Sequence, residues 1–143
     1  MSLSERPVGE FLAALGERTP TPASGAATAL TGALAAALVE LAGRFAGDDE
    51  AVVHAKALWS RLSELADEDS AAYTAFMADR SDANRERIIA VPLEIAACAD
   101  EAAALAERVR AQLRSSVVGD AEAAIELALA SARIARRLAE LNA

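Results

Sequence analysis

The 143-residue chain holds one cysteine, Cys98, and one histidine, His54. A lone cysteine cannot close an intramolecular disulfide, and a lone histidine cannot anchor a zinc site of the usual kind. No metal is therefore expected. A serine-histidine-aspartate triad would have only His54 as its base, and no nucleophile elbow accompanies it. Excess positive charge is missing too: 14 lysines and arginines stand against 22 aspartates and glutamates, a formal charge of −8. Without net attraction to phosphate, a nucleic-acid partner is not expected. Glu40, Arg44 and the cluster Asp48-Asp49-Glu50 interrupt the most hydrophobic region, so no unbroken apolar run reaches membrane length. The opening residues Met1 to Arg6 lack the basic and apolar regions of a secretory signal. The expectation is a soluble, cytoplasmic chain with no membrane partner. Aromatic residues make up only 3% of a chain that is 54% hydrophobic. Much of the remainder is alanine, the best helix former, and a core of alanine and leucine brings helix axes close together.

What is present is helical periodicity, with no strand pattern. The length fits one domain over residues 1–143, large enough to bury a real core. A first helix is expected from about Pro7 to Glu17, with proline tolerated in its first turn. Thr19-Pro20-Thr21-Pro22 breaks it, and Thr21 can cap a second helix that has Pro22 at its first position. That helix has two candidate packing faces. One is an apolar stripe of Ala27, Leu30, Leu34, Leu38, Leu41 and Phe45; the other is a ridge of small residues, Gly25, Ala29, Gly32, Ala36 and Gly43. After Ala46-Gly47, Asp48 can cap a third helix, with Asp49 and Glu50 in the first turn where negative charge is favoured.

The third helix should run to about Arg80, and Ser81-Asp82 should start a fourth. Its stripe is Ile88, Val91, Ile95, Cys98, Ala102, Leu105 and Val109, which makes Cys98 a small core residue. Pro92 should kink or split this helix. Ser115 to Gly119 form a break, and a last helix runs from Asp120 to near Leu141. Arg133, Arg136 and Arg137, with Arg110 and Arg114, read most simply as solvated helix faces. The fold class is all-α, an antiparallel bundle of about five helices. Its surplus apolar and small-residue faces point to an oligomer.

One residue breaks the pattern of the third helix. Positions spaced alternately four and three apart are Ala51, Ala55, Leu58, Leu62, Leu65, Asp69, Ala72 and Phe76. Asp69 alone is polar. An ionised carboxylate in a dry seam is costly unless paired, so it should either meet a partner such as an arginine or titrate with a raised pKa. The second outcome is the one that suits proton transfer. Asp67, about 200° away around a helix, belongs to the more polar side and should be solvated.

The segment from Leu65 to Tyr73, LADEDSAAY, resembles the L-x-D-x-D-x-x-A-[FY] segment of the folate cyclodeaminase and methenyltetrahydrofolate cyclohydrolase family. Phe11-Leu12 followed by Thr19 to Gly25 is similar to that family's opening helix and its T-P-x-P-G-G-G-S loop. Val91-Pro92-Leu93 matches its V-P-L, and Asp120-Ala121 falls at its S-D-A. The order and spacing hold from Phe11 to Asn142.

The resemblance implies an all-helical oligomer, expected here as a homodimer, with a folate site near the subunit contact. Its substrate would be a tetrahydrofolate derivative, with no bound cofactor. The reaction would release ammonia from 5-formiminotetrahydrofolate or open a methenyl bridge with water. Asp69 would be the catalytic acid and base, and Pro22, Ser24, Gly25, Tyr73 and Asp120 would contact substrate. From the residues alone, Tyr73 could equally fill core, Asp120 could simply cap the last helix, and Glu40 is better suited to an exposed or interface role. Departures from the family are Ala23 and Ser24 at two of three glycines, Ala26 and Gly119 at serines, and Leu138 at an asparagine, although Asn142 remains. Two functions follow: a folate-converting enzyme, or a diverged, inactive relative that binds folate or serves as a helical assembly module.

Overall fold

In the computed structural model, which describes residues 1–143, local signals end most of the helices. Five α-helices form: α1 (Val8–Gly16), α2 (Ser24–Ala46), α3 (Asp49–Ala78), α4 (Asp82–Arg110) and α5 (Gly119–Asn142). Short 3-10 turns lie at Leu3–Glu5 and Ser115–Val117. At the α2–α3 corner Gly47 takes φ 69°, a left-handed conformation open to glycine, and the Asp48 N–H closes the turn on the Gly43 carbonyl at 2.9 Å. The Asp48 carboxylate then accepts from the Ala51 N–H at 3.0 Å, as expected of an N-cap, and from Gln112 Nε2 at 2.9 Å. Ser81 caps α4 by accepting from the Asn84 N–H at 3.2 Å.

Two expected boundaries differ. Thr21 and Pro22 precede α2 rather than opening it, and Ala23 is the N-cap, with no side-chain hydrogen bond. Pro92 does not split α4, which is one continuous helix through it.

Helices α2 to α5 form a four-membered bundle in which α2 touches all three others, while α3 packs on α4 and α4 on α5. Short connections make sequential neighbours antiparallel. The α3 seam is buried as its spacing predicts: Ala51, Ala55, Leu58, Leu62, Leu65, Ala72 and Phe76 all lie in the core. So does the α4 stripe, except that Cys98 is only half-buried; burial first, then Glu94 and Glu101, raises its thiol pKa.

The structure decides between the two faces of α2. The small-residue face turns inward, and Leu34 and Phe45 are each 63% exposed. A Cβ at Gly32 would lie 2.9 Å from Ser131 Oγ, so α5 crosses α2 at glycine distance. At that crossing the fully buried Ser131 donates to the Thr28 carbonyl at 2.8 Å. By length and composition α2 is apolar enough to cross a membrane, despite Glu40 and Arg44. Its packing against three neighbours makes it the core helix of the bundle.

Candidate active site

The antiparallel order brings the start of α2, the late turns of α3, the start of α4 and the end of α5 to one end of the bundle. They enclose a pocket of about 210 Å³ lined by Asp69 and Tyr73 from α3, Ile88 and Pro92 from α4, and Leu138 and Asn142 from α5. The connection before α2 closes it with Pro20, Thr21, Ala23, Ser24 and Gly25.

Asp69 lies against Gly25. A Cβ built on that glycine would overlap the whole Asp69 carboxyl group. The close approach therefore requires glycine at position 25, the one family glycine of the three that this chain retains. Positions 23 and 24 line the same wall but accept side chains. Burial alone raises the Asp69 pKa, with no hydrogen bond or cation opposing it. The arginine partner considered from the sequence is absent: Arg61, the basic residue of the α3–α4 face, instead binds Glu64, Glu68 and Glu94. The result is a half-buried carboxyl with a raised pKa and free lone pairs, facing a cavity. Beside it the first turn of α2 has no capping side chain, so its leading N–H groups are available to an anionic or developing negative group.

Ser24, Gly25, Asp69 and Tyr73 thus meet at one site, and Tyr73 lines the pocket rather than only filling core. Two other candidates lie elsewhere. Pro22 lines a neighbouring depression with Arg6, Thr19 and Asp67, and not the pocket that holds Asp69. Asp120 is in the first turn of α5, where it complements the helix dipole, and the N-cap there is Val118. Leu138 and Asn142 reach the pocket from the other end of that helix; at 1.5 Å per residue, Asp120 is about 27 Å away along the axis. Asp67 is not simply solvated: it accepts from the Leu3 N–H at 2.9 Å and holds the amino-terminal turn, with buried Leu3, against α3. Glu40 accepts from Trp59 Nε1 at 2.8 Å and from Arg44, and these bonds hold its carboxyl below the usual range.

Pro20, Thr21, Ile88, Pro92 and Asn142 also line the pocket, and sequence reasoning did not assign them to it. Pro92 and Asn142 carried a signal, one as a proline inside a helix and the other as a polar residue ending α5. Neither signal says which end of the bundle the residue occupies.

The family model for formiminotransferase-cyclodeaminase matches residues 7–143, nearly the whole chain. The chain belongs to that family. The fold of this formiminotransferase-cyclodeaminase family member is also that of a solved protein, the formiminotetrahydrofolate cyclodeaminase of Thermotoga maritima. The two superpose with a TM-score of 0.93 at 21% sequence identity, over 99% of this chain and 80% of the other. No curated protein matches the sequence. Within the family pattern, the departures at Ala23, Ser24 and Leu138 fall on the pocket wall, whereas Gly119 lies near the opposite end of α5.

Proposed function

We propose that this protein acts on a tetrahydrofolate derivative, as a formiminotetrahydrofolate cyclodeaminase or methenyltetrahydrofolate cyclohydrolase, with Asp69 as the proton-transfer group. The observation that carries this reading is the unpartnered Asp69 carboxyl, its pKa raised by burial, facing a pocket against Gly25. Either reaction passes through a tetrahedral carbon between nitrogens, and either needs a group that both takes and returns a proton. In the deaminating direction one folate nitrogen attacks the formimino carbon. Asp69 carries the proton from that nitrogen to the departing one, a second proton comes from solvent, and ammonia leaves with the methenyl cation behind. In the hydrolytic direction water adds to the methenyl carbon and gives a proton to Asp69. Asp69 returns that proton to the nitrogen of the breaking C–N bond, while the hydroxyl proton of the tetrahedral carbon leaves to solvent as the formyl C=O forms. A carboxyl whose pKa is raised by desolvation suits both halves of the exchange.

The pocket is smaller than the roughly 300–1,000 Å³ of a typical ligand site. It suits the reacting bicyclic end of a folate and leaves the rest outside the chain. We assign the cover to a second copy in a homodimer. Helix α1 buries none of its residues, and with α2 it exposes Val8, Leu12, Leu34 and Phe45. Val8, Leu12 and Leu34 border one apolar groove, and exposed apolar surface of that kind marks an interface.

A second reading has its own observation. Ala23, Ser24 and Leu138 place side chains on the wall where the family has two glycines and an asparagine, which suits a diverged chain that binds folate without turnover. Following methenyltetrahydrofolate absorbance decides between them. The enzyme reading expects appearance of that absorbance from 5-formiminotetrahydrofolate, or its accelerated decay, and loss of either in Asp69→Asn. No acceleration over buffer would leave the diverged reading, and an undiminished rate in Asp69→Asn would overturn the role of Asp69.

A further inference from the structure

Three residues of the pocket wall form a linked unit that proton transfer does not use. Pro92 has no backbone N–H, so the carbonyl four residues earlier, that of Ile88, loses its normal helical donor. Both residues are buried, and a buried carbonyl without a donor is costly. Asn142, at the end of α5, supplies the missing bond: its Nδ2 donates to the Ile88 carbonyl at 2.8 Å. A carbonyl can only accept, so the amide nitrogen must face Ile88 and the amide oxygen is turned away from it. All three residues line the pocket that holds Asp69. They stand on α4 and α5, whereas Asp69 stands on α3, across the bundle from α5.

We propose that Asn142 orients the substrate: the proline-freed carbonyl of Ile88 locks its amide so that Oδ1 accepts a hydrogen bond from a ring N–H of the bound folate. This rests on the folate reading above. A tetrahydropterin ring carries N–H donors along its edge, and one fixed acceptor across the pocket from Asp69 sets which edge turns toward the carboxyl. The unit costs α4 a helical hydrogen bond, and Asn142 restores it only from the correct side of the pocket.

The test compares wild type, Asn142→Ala, Pro92→Ala and the double variant in steady-state kinetics and in equilibrium binding of tetrahydrofolate. Alanine at 92 restores the helical N–H to the Ile88 carbonyl and favours the helix, so Pro92→Ala should fold with an equal or higher Tm while releasing Asn142. Loss of one hydrogen bond to the ring should raise KM and the tetrahydrofolate Kd by about three- to tenfold in each single variant. The double variant should be no worse than Asn142→Ala alone, because both changes remove the same interaction. An Asn142 that serves only to satisfy Ile88 would leave KM and Kd unchanged in Pro92→Ala, and that result overturns the proposal. Effects that multiply in the double variant, as for loss of an independent contact by the proline ring, overturn it as well. If wild type and all variants bind tetrahydrofolate equally, the role of Asn142 fails while the folate reading stands. A wild-type chain that binds none overturns both.

Discussion

Gly25→Ala is the smallest change that addresses the proposed chemistry, because it adds one methyl group where the structure has the Asp69 carboxyl. The overlap involves all three carboxyl heavy atoms, so no small rotation of one oxygen relieves it. The group must retreat by more than about 1 Å, and a misplacement of that size at a reacting centre can cost roughly 100-fold in rate. Overpacking of this kind costs about 1–3 kcal/mol of stability, partly offset because alanine favours the helix over glycine by up to about 1 kcal/mol. The expected variant is therefore folded, modestly destabilised, and about 100-fold lower in kcat/KM. Gly119→Ala is the matched control: it opens α5 at the end away from the pocket, and a Cβ there meets nothing within 4 Å. It should keep full activity and equal or greater stability. Steady-state kinetics on both folate substrates, with thermal unfolding of each variant, makes the comparison. Undiminished kcat/KM in Gly25→Ala would refute the claim that the carboxyl must sit against that glycine to work.

Asp69 also makes a prediction about pH. The folded chain holds its proton more tightly than the unfolded chain, so this group's contribution to stability declines as pH rises from the ordinary aspartate range through the raised folded pKa, and the penalty is full above it. Asp69→Asn removes the charge and should stabilise the protein by about 0.5–2 kcal/mol at neutral pH, with the gain vanishing near pH 3. Urea unfolding at the two pH values measures this, and a destabilisation at neutral pH would show that the carboxylate has a partner. Gly32→Ala should cost about 1–3 kcal/mol, because its methyl meets Ser131 Oγ at 2.9 Å and Leu62 at 3.3 Å inside the core; thermal unfolding checks it, and a neutral result would mean that α2 and α5 can separate freely. Leu34→Glu and Phe45→Glu change exposed positions and should leave the 14.8 kDa chain folded but monomeric. Light scattering should find twice that mass for wild type; a monomeric wild type, or dimeric variants, would rule out this face as the interface.

Features that depend on a few neighbouring residues were legible in the sequence. Asp48 and Ser81 cap their helices because a capping side chain bonds to an N–H three residues on. The α3 and α4 stripes are buried because their spacing matches the turn of the helix. Asp69 is the exception within its stripe, and it faces the pocket. Other features depend on neighbours distant in the chain. Pro22 and Asp120 fit the motif order, yet one faces a different depression and the other lies near the opposite end of α5. Motif order does not reveal which helix ends meet in space. Asn142 joins the site only because α4 and α5 run side by side in opposite directions.

By itself the sequence determined the helical class, most of the helix ends and the presence of one acid in an apolar seam, since capping, periodicity and proline or glycine breaks act within a turn or two. The tertiary structure decided which face of α2 is core. Both faces are apolar enough to bury, but only the face of glycine and alanine lets α2 approach three helices at once. That close packing turns Leu34, Leu41 and Phe45 outward, sets Gly25 against Asp69 and leaves the carboxyl without a partner. Burial can raise a pKa only after those helices have met.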